Sequence, residues 1–190
     1  MVDNVKITVE HICGDSRAVA DRARTTIGLH EGDKEVTDRY MRRMYLCRHS
    51  PIRIQMYKIK FEGIPYCTGM HFARHKHGVE HFFSTQRSDR TGVDRSERRQ
   101  TDPVLYEMVL NAEAILNISH MRLCSGADKD TIKIWKKVVE ELRKINPVLA
   151  DCCVPRCIRE GHCYEFISCG YHKTKVFKEK LEKHREGINE

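Results

Sequence analysis

Three consecutive residues, Arg74, His75 and Lys76, gather two permanent cations and one titratable ring, and Ser84, Thr85, Gln86 and Arg87 follow about one short element later. Cations suit phosphates, while hydroxyls and amides suit a ribose or a base edge. The run therefore predicts a site for a phosphorylated ligand, a nucleotide or a nucleotide-like cofactor. Taken alone, Arg74 and Lys76 would read first as surface cations and Ser84 as the cap of a turn. His71, His75, His77 and His81 lie near one another, but they lack carboxylate or cysteine partners at ligand spacing, so a metal is the weaker reading of that run.

Nine cysteines form the second chemical feature. Cys152, Cys153, Cys157, Cys163 and Cys169 fall within eighteen residues, interleaved with Pro155, Gly161 and Gly170. Soft thiolates in a loop-rich segment can hold zinc or an iron–sulfur cluster. The spacings are longer than the C-x2-C pairs of strong zinc motifs, so Cys152, Cys157, Cys163 and Cys169 stand as candidate ligands of a structural Zn against the alternative of buried, inert thiols. The odd count argues against complete pairing in disulfides.

These residues need elements to position them. Val5 to Ile12 alternates as a strand, and Lys34 to Cys47 carries Val36, Tyr40, Met44 and Cys47 at helical spacing. Ile52 to Phe61 reads as a strand, Glu62-Gly63-Ile64-Pro65 as a turn and Tyr66 to Arg74 as a helix. Asp89 to Asp102, with Gly92 and many arginines, is expected to be an exposed loop. Pro103 is expected to open a helix, because Val104, Met108, Ala112, Ile115, Ile118 and Met121 recur at helical spacing. Asp130 to Ile145 is a further helix, stopped by Asn146-Pro147. Leu149 to Gly170 is the irregular cysteine-rich segment, and residues 173–190 form a charged helix or tail. One domain over residues 1–172 is expected, with no repeats and no linker.

The balance of 34 Lys and Arg against 27 Asp and Glu gives a net charge of +7, with 40% hydrophobic residues. The basic residues are dispersed and form no tract, so a free nucleotide satisfies the charge as well as nucleic acid does, and nucleic acid is not the favoured partner. No window is apolar enough for a membrane span. The first residues lack the layout of a secretory signal, which points to a cytoplasmic protein with reduced thiols.

Three segments together resemble one family, the flavin-dependent thymidylate synthases (ThyX). That family's signature is Arg-His-Arg, seven residues, then Ser; here Arg74, His75 and Lys76 match the triplet, with Lys for the second Arg, and the seven-residue count lands on Ser84. Upstream, Ser50 and Pro51 match the family's Ser/Thr-Pro element. Downstream, Asn117, Arg122 and Ala127 fall where its flavin-binding helix carries Asn, Leu-Arg and Ala-Gln-x-Glu. The match spans roughly residues 5–135. Val79, His81 and Phe82 replace Ser, Asn and Glu of the motif, Gln86 replaces the phosphate-gripping Arg, Arg53 replaces a Glu, and Ile132 replaces an Arg used on the pyrimidine. The flavin half of the pattern thus survives better than the nucleotide half, as in a divergent branch, with the cysteine-rich end suggesting a phage-encoded type.

The resemblance implies an α+β fold, a mixed or antiparallel sheet flanked by helices. It implies a homotetramer with active sites between subunits, and FAD as cofactor with NADPH recharging it. The implied reaction moves a one-carbon unit from methylene-tetrahydrofolate to C5 of deoxyuridylate. A different acceptor pyrimidine, a catalytically retired relative, and a cysteine-metal protein that binds nucleic acid are the alternatives. On this basis Arg74, His75, Lys76, Ser50, Asn117 and Arg122 are the cofactor-binding candidates. Ser84 is the catalytic-site residue meeting the nucleotide, with Gln86, Arg87 and Arg90 binding the rest of it. The 89–102 loop, with Arg95, Arg98 and Arg99, is expected to order over bound nucleotide.

Overall fold

The structure, a computed structural model, describes residues 2–186. A 3-10 turn at Val2–Asn4 leads into β1 (Lys6–Cys13), α1 (Ser16–Thr25) and α2 (Asp38–Cys47). A second 3-10 turn, Ser50–Ile54, precedes β2 (Met56–Pro65), which runs directly into α3 (Tyr66–Ala73). Next come β3 (Val79–Phe83), the short α4 (Ser88–Thr91) and β4 (Pro103–Asn111), which passes without a loop into α5 (Ala112–Arg122). α6 (Lys129–Ile145), α7 (Pro147–Cys152), α8 (Arg156–Glu160) and α9 (Lys175–Arg185) follow. The fold is α+β: the four strands form one antiparallel sheet in the order β1-β2-β4-β3.

Strand alternation decides which sheet face is covered. Tyr57, Ile59 and Phe61 of β2 are buried and pair in register with Leu110, Met108 and Tyr106 of β4, which are buried too. The intervening Lys58, Lys60 and Glu62 face outward and form ion pairs such as Lys58–Glu10 at 2.7 Å. Against the apolar face a line of rings runs from the sheet into the helices. Phe83 stacks on Tyr106 at 4.0 Å, Tyr106 on Phe61 at 5.3 Å, Phe61 on Phe72 of α3 at 5.7 Å, and Phe72 meets Trp135 of α6 at 5.5 Å. Trp135 is fully buried and donates its indole N–H to Ser119 Oγ of α5 at 2.9 Å. The helix that leads into the Arg-His-Lys triplet is thus clamped between the sheet and α6 by the largest apolar side chains of the chain.

Several expected elements differ. Residues 103–111 are strand, not helix. Val104, Tyr106, Met108 and Leu110 are buried on one face while Pro103 and Leu105 are exposed, a period of two that hides within the helical spacing of the longer run. Asn111 marks the switch: its side chain accepts from the Ala114 N–H at 2.9 Å and caps α5. Glu62 to Pro65 is not a turn but the end of β2, paired with β4 through an irregularity at Gly63, whose φ of 79° accommodates it. β2 starts at Met56, because Ser50-Pro51 opens a 3-10 turn. α2 begins at Asp38, capped by Thr37 Oγ1, later than Lys34. The 89–102 segment is mostly irregular, as expected, apart from α4 and a 3-10 turn at Arg95–Glu97. Residues 187–190 of the expected C-terminal helix or tail lie outside the described residues. Among the described residues no helix is long and apolar enough to cross a membrane.

Candidate functional site

α3 stops at Ala73, where the chain turns back with the His75 N–H donating to Phe72 O at 2.9 Å. Arg74 and Lys76 are exposed at this corner and His75 is half-buried between them. Arg122, the last residue of α5, reaches across: its Nε donates to His75 Nε2 at 3.0 Å and its Nη2 to the His71 carbonyl at 2.7 Å. Because His75 Nε2 accepts, the neutral ring carries its proton on Nδ1, which has no partner among the described residues. Burial first, then the cations Arg122 and Arg74 and the neighbouring His81, push the His75 pKa down to about 4. The ring is neutral at physiological pH, so the corner is a neutral donor among three cations.

His81, where the family motif has Asn, is built into the same corner. Its Nε2–H must donate to the His75 carbonyl at 2.6 Å, since a carbonyl only accepts. Its Nδ1 then accepts from the Tyr106 hydroxyl at 2.7 Å, and burial raises the Tyr106 pKa, so that proton stays. The chain also crosses itself here. The Asn111 N–H donates to the Gly78 carbonyl at 3.0 Å, and Gly78 has φ of 70°. A Cβ on Gly78 would stand 2.5 Å from Asn111 Nδ2, so only glycine fits.

The nucleotide-side candidates are arranged otherwise. Ser84 continues the β3 ladder: its N–H donates to Leu105 O at 2.8 Å and its Oγ accepts from the Leu105 N–H at 3.2 Å. The hydroxyl hydrogen remains to donate to a ligand. Gln86 is half-buried beyond it. Arg87 is held by Asp89 through two bonds of 3.0 and 2.8 Å, and Arg90 lies 3.8 Å from the same carboxylate. The loop is tethered to the start of α3 by Tyr66 N–H to Asp102 O at 3.0 Å and Cys67 N–H to Gln100 O at 2.8 Å. Within it the Nε of Arg98 is buried with no hydrogen-bond partner, a donor left for an acceptor to satisfy. α3 therefore holds the arginine loop at one end and the triplet at the other.

Two expected cofactor contacts fall elsewhere. Asn117 lies on another side of α5 from Arg122, and its side-chain oxygen accepts from Arg48. Arg48 adopts φ of 55° at the end of α2, a left-handed conformation rare outside glycine, and also bonds His120. His120 Nδ1–H donates to Val154 O at 2.7 Å; burial above all drives its pKa down to about 3, so the ring stays neutral. Ser50 is exposed at the start of its 3-10 turn, and the following Arg53, replacing the family's Glu, forms a forked pair with Glu113 in the first turn of α5 at 2.6 and 3.4 Å. Sequence reasoning named His81 only in a histidine run and as a departure from the family motif, and it missed Tyr106, Arg48 and His120. Only the pairing of β3 with β4 and the reach of Arg48, at the end of α2, to α5 reveal them.

No known family profile matches this sequence, and no curated protein is detectably similar to it. The backbone matches solved structures. One is thymidylate synthase X (ThyX) from Helicobacter pylori with FAD and dUMP, at 12% identity and a TM-score of 0.61, covering 78% of this chain and 99% of that one. A second structure of the H. pylori flavin-dependent enzyme complexed with FAD and dUMP gives a TM-score of 0.64 at 11% identity. The chain has the ThyX fold. The UMP/dUMP methylase PolB from Streptomyces cacaoi, bound with 5-Br dUMP, shares it at 15% identity and a TM-score of 0.58, covering 77% of this chain and 94% of that one. At such identities the likeness establishes the architecture. The chemistry must be argued from this chain's own side chains.

Proposed function

We propose that this protein is a flavin-dependent enzyme that transfers a one-carbon unit to C5 of a pyrimidine nucleotide. Its most direct form is conversion of dUMP to dTMP with methylene-tetrahydrofolate and NADPH. The observation that carries this is the docking of Arg122 on His75 and His71, beside exposed Arg74 and Lys76, on a ThyX fold.

The residues present fit a flavin nucleotide. Arg74 and Lys76 have no carboxylate partner among the described residues, so their charge is available to a diphosphate. His75 keeps an N–H to donate, and Arg122 fixes its tautomer and orientation. Bound FAD would supply the redox and one-carbon relay between folate and pyrimidine. Ser84 would donate its hydroxyl to the nucleotide, and Arg98 would satisfy its buried Nε on an anionic oxygen. Asn117 and Ser50 would reach cofactor from another subunit of a homotetramer.

A second acceptor has specific support. Gln86 stands where the phosphate-gripping Arg belongs, and Asp89 already engages Arg87 and Arg90. A pyrimidine nucleotide other than dUMP, hydroxymethylated or methylated at C5, suits that altered half.

The test is the visible spectrum of the protein purified without added cofactor, followed by FAD titration. A bound-flavin band is expected, and Arg122→Ala should weaken FAD retention about 10-fold or more, as loss of charged hydrogen bonds worth about 1.5–3 kcal/mol requires. No flavin and no uptake of FAD would reject the proposal. Flavin binding with turnover of another pyrimidine nucleotide, but not dUMP, would select the second acceptor. Replacing Arg95, Arg98 and Arg99 by Ala should weaken nucleotide binding while FAD retention stays intact.

A further inference from the structure

The structure does not assemble the metal site that cysteine spacing predicts. Among the described residues no three His, Cys, Asp or Glu side chains are gathered closely enough to hold an ion. Of the zinc candidates Cys152, Cys157, Cys163 and Cys169, the first is packed in the core with Cys153, and burial pushes both of those thiols up to about 12. Burial raises the Cys157 thiol as well, against the thiolate that a metal needs. What the C-terminal part of the chain does build is a cavity of about 1240 Å³. None of its lining residues belongs to the Arg74–Arg122 corner.

Two kinds of surface line this cavity. The first is apolar: Val154, Pro155 and the fully buried Ile158 on the stretch from α7 to α8, with Phe166 and Ile167 of the irregular 161–170 segment. Phe166 and Ile167 are 103% and 84% exposed, so nothing in the chain covers them. Large apolar side chains left bare at the mouth of a cavity mark a binding surface. The second is cationic. Arg42, Lys136, Arg143, Arg156, Lys180 and Lys183 line the cavity against three carboxylates, Asp151, Glu165 and Glu186. Arg143 is engaged by Asp151, and Arg42 donates to the Lys183 and His184 carbonyls at 2.9 and 3.0 Å. Lys136, Lys180 and Lys183 have no carboxylate partner among the described residues.

α9 concentrates this charge. Lys180 and Lys183 stand three apart and Lys180 and His184 four apart, so the three share one face of the helix, and all line the cavity. Like charges at that spacing repel one another unless an anion lies between them. His184 is only 7% exposed, and its Nδ1 is buried with no hydrogen-bond partner among the described residues. Buried polar atoms of this kind are nearly always bonded, so this one points to a partner that the chain does not supply.

We propose that the cavity is a second ligand site, for an anionic amphiphile with an extended apolar body and a carboxylate or phosphate head. The head lies against Lys180, Lys183 and His184, and the body lies along Val154, Pro155 and Ile158 beneath Phe166 and Ile167. The volume exceeds the roughly 300–1,000 Å³ common for drug-sized ligands, which favours an acyl chain over a single ring. The site is independent of the flavin chemistry proposed above, and either can fail alone.

The test is calorimetric titration of the full chain with dodecanoate and with dodecyl phosphate, each below its micelle concentration, and with dodecyltrimethylammonium as the control of opposite charge. One anion per chain is expected, with the cation bound about 10-fold more weakly or not at all. The double variant Lys180→Gln/Lys183→Gln should lose about 10-fold or more in anion affinity, as the loss of charged hydrogen bonds requires. Phe166→Ser should lose about 10-fold, as an uncovered ring requires. Both variants alter exposed side chains, and both should retain FAD like the unaltered chain. The tighter of the two anions identifies the head group. Binding of neither anion, equal affinity for the cation, or full anion affinity in the double variant would overturn the site.

Discussion

The Arg74–Arg122 corner and the 84–102 loop use the same kinds of side chain, yet one is built and the other waits. At the corner Arg122 and the rings place one another: Arg122 docks on His75, and His81 bonds His75 and Tyr106, the whole set backed by buried rings. In the loop the arginines are exposed, paired with a neighbouring Asp, or left with an unused donor as in Arg98. The difference teaches where each ligand's free energy would come from. A flavin at the corner meets a geometry already fixed by folding. A nucleotide at the loop must order several side chains, at about 0.5–1.5 kcal/mol each, and so binds more weakly for the same contacts.

The strongest way to break the contrast is through the packing behind the corner. Trp135→Ala should cost about 3–5 kcal/mol of stability by leaving a cavity against Phe72 and removing the indole N–H that Ser119 Oγ accepts. Thermal unfolding would show it, with FAD retention falling in parallel. Unchanged stability would mean that the corner is not held from behind.

Acid should separate the two halves next. His75, His120 and His184 have pKa values lowered by burial to about 4, 3 and 4, well below the unfolded value of about 6.5. Between about pH 6.5 and 4 the unfolded chain takes up protons that the folded chain refuses, so stability falls as pH falls. The slope is up to about 1.4 kcal/mol per pH unit for each of the buried rings His120 and His184, and less for the half-buried His75. Urea midpoints from pH 7 to 4.5 would measure it, and His120→Gln should flatten the slope. An equally steep slope in that variant would assign the effect to other groups.

The smallest effect sharpens the comparison from the loop side. Asp89→Ala releases Arg87 and Arg90 and should change stability by less than about 0.5 kcal/mol, as exposed pairs do. Nucleotide affinity, read by calorimetry, should rise if those arginines serve the phosphate. A fall would mean that Asp89 holds them in their working position.

Much of this was legible before the structure. The β1 strand, α3 and α6 follow from local pattern, and the Arg74–His75–Lys76 triplet falls at the end of α3, where a helix must stop and expose its side chains. The strand at 103–111 was not legible, because Val104 and Met108 satisfy both a period of two and the spacing of the helix that follows. Arg122 and His75 could each be singled out by likeness, but their contact could not, since it needs the end of α5 to come beside the end of α3. Asn117 was expected at the same site as Arg122. Five positions apart on a helix, the two cannot share a face.

Gly78 carries a consequence for how such a protein can change over generations. The one glycine that fits against Asn111 ties the turn after the triplet to the first residue before α5, and so ties the triplet to Arg122. The two sides of the corner are inherited as a unit: a substitution that shifts either displaces both. The loop has no such rivet, and drift in ligand preference has free rein there while the corner stays in step.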